Sequence, residues 1–211
     1  MITVDSFNDY VFTEVKQWLC NKYANVKEMD NSCVVLGSAA SKMLPQQYRA
    51  TRPGCRVIVY NLEQLFQGSV WANQFTFDWL KQADEIWDYD LDNIRYLGSF
   101  GLRAKYVPLE YTTAVMYETK APEEKDIDVL FYGAPTNRRM KLLQAWMGMS
   151  QYHAKTVIAT GIRGQDLVNY IQRSKIILNL HAFDGVMRQE QVRMFTPVIN
   201  NCCVVSEKSE R

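Results

Sequence analysis

The chain has 211 residues, 47% of them hydrophobic and 22% charged, with a formal net charge of +1. That is room for one sizeable domain or two small ones of ordinary globular composition, and no global field recruits nucleic acid or an anionic membrane. No apolar run approaches the roughly 20 residues needed to span a bilayer, and the N-terminus MITVDSFNDYVF lacks the basic segment and long apolar core of a signal peptide.

In chain order, segment 9–22 carries Val11, Val15, Trp18 and Leu19 at helical spacing, with Asn8 or Asp9 placed to cap it. SCVVLGS (32–38) is a short apolar run stopped by glycine and reads as a buried strand. CRVIVYNLEQL (55–65) repeats that form, its β-branched residues predicting a strand that ends near Asn61. A helix is predicted over 74–83. EIWDYD reads as a third strand, DNIRYLGSF as a helix stopping at Gly98, and AKYVPLEY (104–111) as a fourth strand with Pro108 marking its exit.

YETKAPEEKD (117–126) is the most charged and least apolar stretch and reads as a linker. The alternation then resumes. IDVLFYGA is a strand and NRRMKLLQAWMGM a helix with Met140, Leu143 and Met147 on one face. KTVIATG is a strand, GQDLVNYIQRS a helix with Leu167, Val168 and Ile171 inward, and KIILNLH a strand. EQVRMFTPV reads as helical up to Pro197, and CCVVSE as a last strand. Strands alternating with helices of about 10–15 residues predict an α/β fold with mostly parallel sheets covered on both faces. The linker divides it into two units, 1–116 and 127–211.

Five cysteines (Cys20, Cys33, Cys55, Cys202, Cys203), odd in number and without a Cys-x-x-Cys pair, read as reduced thiols of a cytoplasmic protein with neither a disulfide frame nor a zinc site. With only His153 and His181 in the chain, a His-rich metal centre is excluded.

Open parallel sheets bind ligands beyond the carboxyl ends of their strands, so the residues after each strand carry the candidates. Gly133 ends DVLFYG, Thr136 or Asn137 can cap the next helix, and Arg138 and Arg139 fall in its first turn. Basic residues there oppose the helix dipole, and a bound phosphate would supply the reason for them. The alternative is a solvated arginine pair on a surface turn. VIATGIRGQDL repeats the pattern with Gly161 and Gly164 around Arg163 at another helix start. His181, just past a strand and followed by Asp184 and Gly185, can donate to a phosphate or act as acid and base near neutral pH. Glu190 and Arg193 share a helix face, where a local ion pair is the simpler reading.

DIDVLFYGAPTNRRMKLLQ, GIRGQDLVNYIQRSKIILNLH and EQVRMFTPVINNCCVVSE resemble, in that order, the C-terminal half of glycosyltransferases of the GT-B architecture. They are especially similar to short bacterial and viral members. VIVYNLEQL, DEIWDYD and VPLEY are similar to the first half of the same group, so the resemblance spans about residues 32–207. It implies two Rossmann-like units facing across a cleft, with acceptor-side and nucleotide-sugar-binding roles in that order. It also implies hexosyl or deoxyhexosyl transfer from a GDP- or UDP-type sugar to the hydroxyl of a glycan or other acceptor, in a metal-independent reaction with no cofactor. Gly133, Asn137, Arg138, Arg139, Gly161, Arg163, Glu190 and Arg193 would then serve the donor, with His181 near the sugar or its phosphate. Asn61 and Gln64 would line the acceptor side beside Glu63 as general base. The asparagines of NNCCVVSE stand where the family has glycine, and the chain stops before the last strands of a complete C-terminal domain, consistent with further domains in a longer polypeptide.

Asp88, Asp90 and Asp92 offer a competing reading. Asp-x-Asp after a strand is how the GT-A architecture holds a metal against the donor diphosphate. Ile94 and Leu97 mark a helix right after it, which favours a strand end and a helix cap, with Asp88 left as a possible cleft residue and base. A non-catalytic nucleotide- or sugar-binding module is the third reading.

Overall fold

A computed structural model describes residues 2–6, 12–37, 45–149, 154–184 and 188–209. The chain divides into two compact units, Met1–Ala114 and Val115–Arg211.

In the first unit the continuous apolar runs become strands buried on both faces. β1 (Thr3–Ser6), β2 (Ser32–Leu36), β3 (Arg56–Asn61), β4 (Glu85–Asp88) and β5 (Ala104–Tyr106) lie side by side in sequence order, each pair parallel. Cys33, Val35, Val57, Val59 and Ile86 share one core cluster with Tyr48 of α2 (Pro45–Thr51), Phe77 and Leu80 of α3 (Gln74–Leu80) and Leu97 of α4 (Leu91–Ser99). The alternating positions Tyr60 and Trp87 meet α1 (Thr13–Lys22) and the residue after it. Tyr60 lies 6.2 Å from Trp18, and Trp87 lies 5.4 Å from Tyr23, between ring centroids.

α1 begins at Thr13, preceded by Phe12 without a side-chain cap. The expected caps Asn8 and Asp9, with Val11, lie outside the described residues. β1 and α2 carry no periodic signal in the sequence. Each is short and sends essentially one large side chain, Val4 or Tyr48, into the core.

The second unit holds β6 (Ile127–Tyr132), β7 (Thr156–Ala159), β8 (Ser174–Asn179) and β9 (Cys203–Ser206), all parallel, in the order β7-β6-β8-β9. α5 (Asn137–Gly148) brings Leu143 onto Phe131 and Leu180, and α6 (Gly164–Gln172) brings Ile171 onto Leu130 and Ile177. Met147, read as inward-facing, is 60% exposed, so the buried stripe of α5 ends at Leu143.

α7 (Gln191–Ile199) continues past Pro197, two residues beyond where the proline was expected to stop it. Proline lacks the N–H that would bond the carbonyl of Arg193. The Tyr132 hydroxyl donates to that carbonyl instead, at 2.6 Å.

Segment 117–126, expected to be a linker, packs within the second unit. The Tyr117 N–H donates to Asn200 Oδ1 (2.9 Å), Glu118 O accepts from Gln172 (2.6 Å), and Asp126 pairs with Arg173 (2.6 Å) and Lys155 (2.8 Å). Backbone bonds and the ion pairs of Asp126 tie it to the unit, which composition alone does not reveal.

β6 connects to β7 on one side, and the chain then crosses back to β8 on the other side of β6. The crevice beyond the carboxyl ends of β6 and β8 is therefore the topological switch point, where open parallel sheets place ligands. The first unit keeps sequence order throughout its described strands and has no such reversal. Among the described residues no helix is long and apolar enough to cross a membrane.

Candidate functional site

The β6 lip of the crevice is shaped by Gly133, whose φ of 134° is a conformation that L side chains rarely adopt. A Cβ there would also lie 2.9 Å from Arg193 Nη2. Thr136 caps α5, its hydroxyl accepting from the Arg139 N–H at 3.3 Å. The first-turn N–H groups of Asn137 and Arg138 bond to nothing among the described residues, the arrangement by which a helix N-terminus can accept an anion.

Arg139, expected to face a diphosphate, is 1% exposed. Its Nε donates to Leu180 O (3.0 Å), its Nη1 to Ala134 O (3.1 Å), and its Nη2 to both oxygens of Glu190 (2.6 and 2.7 Å). A guanidinium enclosed this way has no face left for a ligand. Burial pushes its pKa down, and the neighbouring positive charge of Arg193 adds to that.

Glu190 is a hub: Oε1 also accepts from the Ala182 N–H (2.9 Å), and Oε2 pairs with Arg193 Nη2 (2.7 Å). The local ion pair anticipated between Glu190 and Arg193 is thus present, but as half of a larger cluster. Both guanidinium carbons lie 5.8 Å from the ring centroid of Phe131, within cation–π range. Two arginines share one carboxylate, so the cluster carries an excess positive charge. Arg193 Nη1 is buried with no hydrogen-bond partner among the described residues. A buried guanidinium nitrogen left unsatisfied is costly, and a bound anion would satisfy it.

Arg138 is also committed, though less deeply. Its Nη1 and Nη2 hold Glu207 (2.8 and 2.6 Å), its Nε donates to Asp184 (2.9 Å), and Nη1 reaches His181 O (3.0 Å). The pairing raises the Arg138 pKa and lowers that of Glu207. This clamp anchors the β8 lip, where the His181 N–H donates to Glu207 (2.6 Å).

The His181 ring is 3% exposed, with Nε2 3.2 Å from Lys208 O. A carbonyl only accepts, so Nε2 carries a proton in this contact. Its Nδ1 is buried and has no partner among the described residues, and neither has Asn179 Oδ1 at the end of β8.

Gly161, Arg163 and Gly164 lie beyond β7, on the far side of β6 from the crevice. Gly161 and Gly164 adopt φ of 73° and 55°. Arg163 precedes α6, is exposed, and its side chain makes no hydrogen bond or ion pair among the described residues. Of the donor-side candidates, the fold brings together Gly133, Asn137, Arg138, Arg139, His181, Glu190 and Arg193, with Arg163 at one side. Glu207 and Phe131 complete the cluster. Glu207 stands in the VVSE phrase, but nothing local in the sequence gives it a role.

In the first unit Asp88 is 0% exposed and closes a polar knot. It accepts from Asn61 Nδ2 (2.7 Å), the Asp90 N–H (2.8 Å) and Asn93 Nδ2 (3.1 Å). Asn61 and Asn93 also both donate to Glu63 O (2.9 and 2.8 Å), and Asn93 Oδ1 accepts from the Leu65 N–H (2.8 Å). Burial pushes the Asp88 carboxyl up to about 7, against those three donated bonds. Asp90 caps α4, accepting from the N–H groups of Asp92 and Asn93, and Asp92 pairs with Arg95. The three aspartates are therefore spent separately on a loop knot, a cap and a surface pair, and do not converge as a metal site. Enclosure equally removes Asp88 as an open base. Glu63 and Gln64 follow β3 as half-buried residues, and Gln64 O accepts from the Ser69 hydroxyl at 2.8 Å.

No family model matches the chain, and no curated protein matches its sequence. Among solved structures it is similar to an α-glucosyltransferase in complex with UDP-glucose and DNA containing an abasic site, with 11% identity and a TM-score of 0.47 over 89% of this chain. It spans 64% of that glucosyltransferase chain. A Glycosylation Associate Protein complex from Streptococcus agalactiae is similar at 11% identity and a TM-score of 0.43, covering 92% of this chain and 46% of that one. The GtfA/B complex bound to UDP and GlcNAc is similar at 13% identity and a TM-score of 0.33, covering 90% and 46%.

Proposed function

We propose that the chain transfers a sugar from a nucleoside-diphosphate sugar to an acceptor hydroxyl, without a divalent metal. The observation that carries this reading is Arg193 Nη1 at the β6–β8 switch point, buried without a partner among the described residues, in a trio where two arginines share the one carboxylate of Glu190. A diphosphate fits that chemistry. The guanidinium and the helix N-terminus would stabilise the departing charge in place of a cation. The ordered motifs that resemble GT-B enzymes support the same reading. In the transfer, the bond from the anomeric carbon to the phosphate oxygen breaks and its electron pair leaves with the diphosphate. The acceptor oxygen bonds to that carbon and gives up its proton. His181 Nδ1 is assigned to a donor hydroxyl, and Glu63 to the acceptor proton.

Calorimetry of UDP and GDP with and without EDTA tests the donor site. Binding of one nucleotide, undiminished by EDTA, is the expected result, and binding lost on chelation transfers the choice to a metal-dependent reaction.

Glu63→Gln keeps the side-chain shape but cannot accept a proton. Transfer is expected to fall by about 100-fold or more while nucleotide affinity holds. Turnover assayed with glycan, protein and DNA acceptors at wild-type rate would remove Glu63 from the reaction.

A further inference from the structure

We propose that Arg139 is a positioning residue, which, without touching a ligand, sets the orientation of Arg193 through Glu190 and leaves the trio of Arg139, Glu190 and Arg193 with one positive charge. The inference rests on the anion-binding reading of the crevice and adds the means by which its binding cation is held.

Arg139 joins three parts of the site at once. Leu180 follows β8 and Ala134 follows β6, so the bonds to their carbonyls (3.0 and 3.1 Å) tie the two lips of the switch point to one planar group. The other end of the guanidinium grips both oxygens of Glu190 (2.6 and 2.7 Å). Glu190 Oε2 is in turn the ion-pair partner of Arg193 Nη2 (2.7 Å). Arg193 is thereby held against Gly133 and over Phe131, with Nη1 buried and without a partner among the described residues.

The charge argument runs the same way. A lone Glu190–Arg193 pair is neutral and attracts an anion weakly. Because Arg139 shares that carboxylate, the trio keeps one positive charge, and Arg193 holds the part of it with an unsatisfied donor. Only arginine has the fork to make the carbonyl and carboxylate bonds together. Lysine keeps the charge and loses the fork.

Affinity for inorganic pyrophosphate and for UDP, measured on wild type, Arg139→Lys, Arg139→Gln, Arg193→Ala and the Arg139→Lys/Arg193→Ala double variant, tests the inference, with thermal unfolding recorded for each. Arg139→Lys is expected to weaken both probes by about tenfold, and Arg193→Ala by as much or more, on the scale of a charge-assisted hydrogen bond. Arg139→Gln, lacking the charge, is expected to lose more than Arg139→Lys. In the double variant the Arg139 change should cost nothing further, because its effect passes through Arg193. Additive losses, or an Arg139→Lys variant that binds as wild type does, would overturn the proposal. If wild type binds neither probe, the nucleotide reading fails on its own. The positioning claim is then decided by the Arg193 side-chain N–H signals in NMR, slowly exchanging in wild type and fast in Arg139→Lys. Unchanged Arg193 signals would overturn it.

Discussion

Glu190→Ala destabilises the second unit by about 3–5 kcal/mol, the range expected when one partner of a buried ion pair is removed. Arg139 cannot swing to solvent, since its guanidinium is pinned to Leu180 O and Ala134 O beneath a closed surface. Its charge would be left without a counter-ion, while the Ala182 N–H loses its acceptor. Native-state hydrogen exchange at the amides of β6 and β8 measures this in the second unit alone. Glu190→Gln, which retains one acceptor oxygen, loses less. Replacing Arg139 and Glu190 together by methionine recovers only the part of the loss that belongs to Arg139, because Arg193 still lacks its Glu190 partner. Wild-type exchange rates in the alanine variant would mean that Arg139 does not depend on Glu190.

The second large effect is a pH dependence in the first unit. Asp88 titrates at about 7 when folded and near the ordinary carboxylate value when unfolded. Its folded pKa is raised, so the stabilisation is fully present below about pH 4 and is lost as pH climbs through 7. The slope approaches 1.4 kcal/mol per pH unit, so the change between pH 4 and 8 is on the order of 3 kcal/mol. Burial also raises Glu14, whereas Asp126 and Glu207 run the opposite way, held low by arginine partners. The comparison is therefore between wild type and Asp88→Asn, by urea unfolding at each pH. The variant should gain on wild type as pH rises. Should it fall further behind instead, the three donated hydrogen bonds outweigh burial and Asp88 is an ordinary ionised carboxylate.

The arginine pair shows where sequence reading reaches its end. Two arginines in the first turn of α5 are visible as an anomaly against the helix dipole, and a bound anion is one way to account for it. The structure accounts for most of it with Glu190, 51 positions along the chain from Arg139, and Glu207, 69 positions from Arg138. Neither partner lies within the local window that helix-start chemistry examines. Asp88 is the converse case. The spacing DYDLDN offers Asp90 or Asp92 as a helix cap, and the structure uses Asp90, whose cap bonds reach only two and three residues ahead. That Asp88 is enclosed follows from Asn61, which stands on the neighbouring strand in register with it.

Two parallel α/β units follow from the sequence by itself, because strands buried on both faces must be apolar throughout and helices must carry a stripe. IDVLFY, KIILNL and RVIVYN announce themselves for that reason. Tertiary structure alone decides the order β7-β6-β8-β9, since strand pairing brings together residues that share no local pattern, and that order makes the ends of β6 and β8 a crevice. It also decides which arginine holds the fold and which keeps an unsatisfied nitrogen. Burial and counter-charge act through space, and identical residue types one position apart, or on different helices, receive them differently.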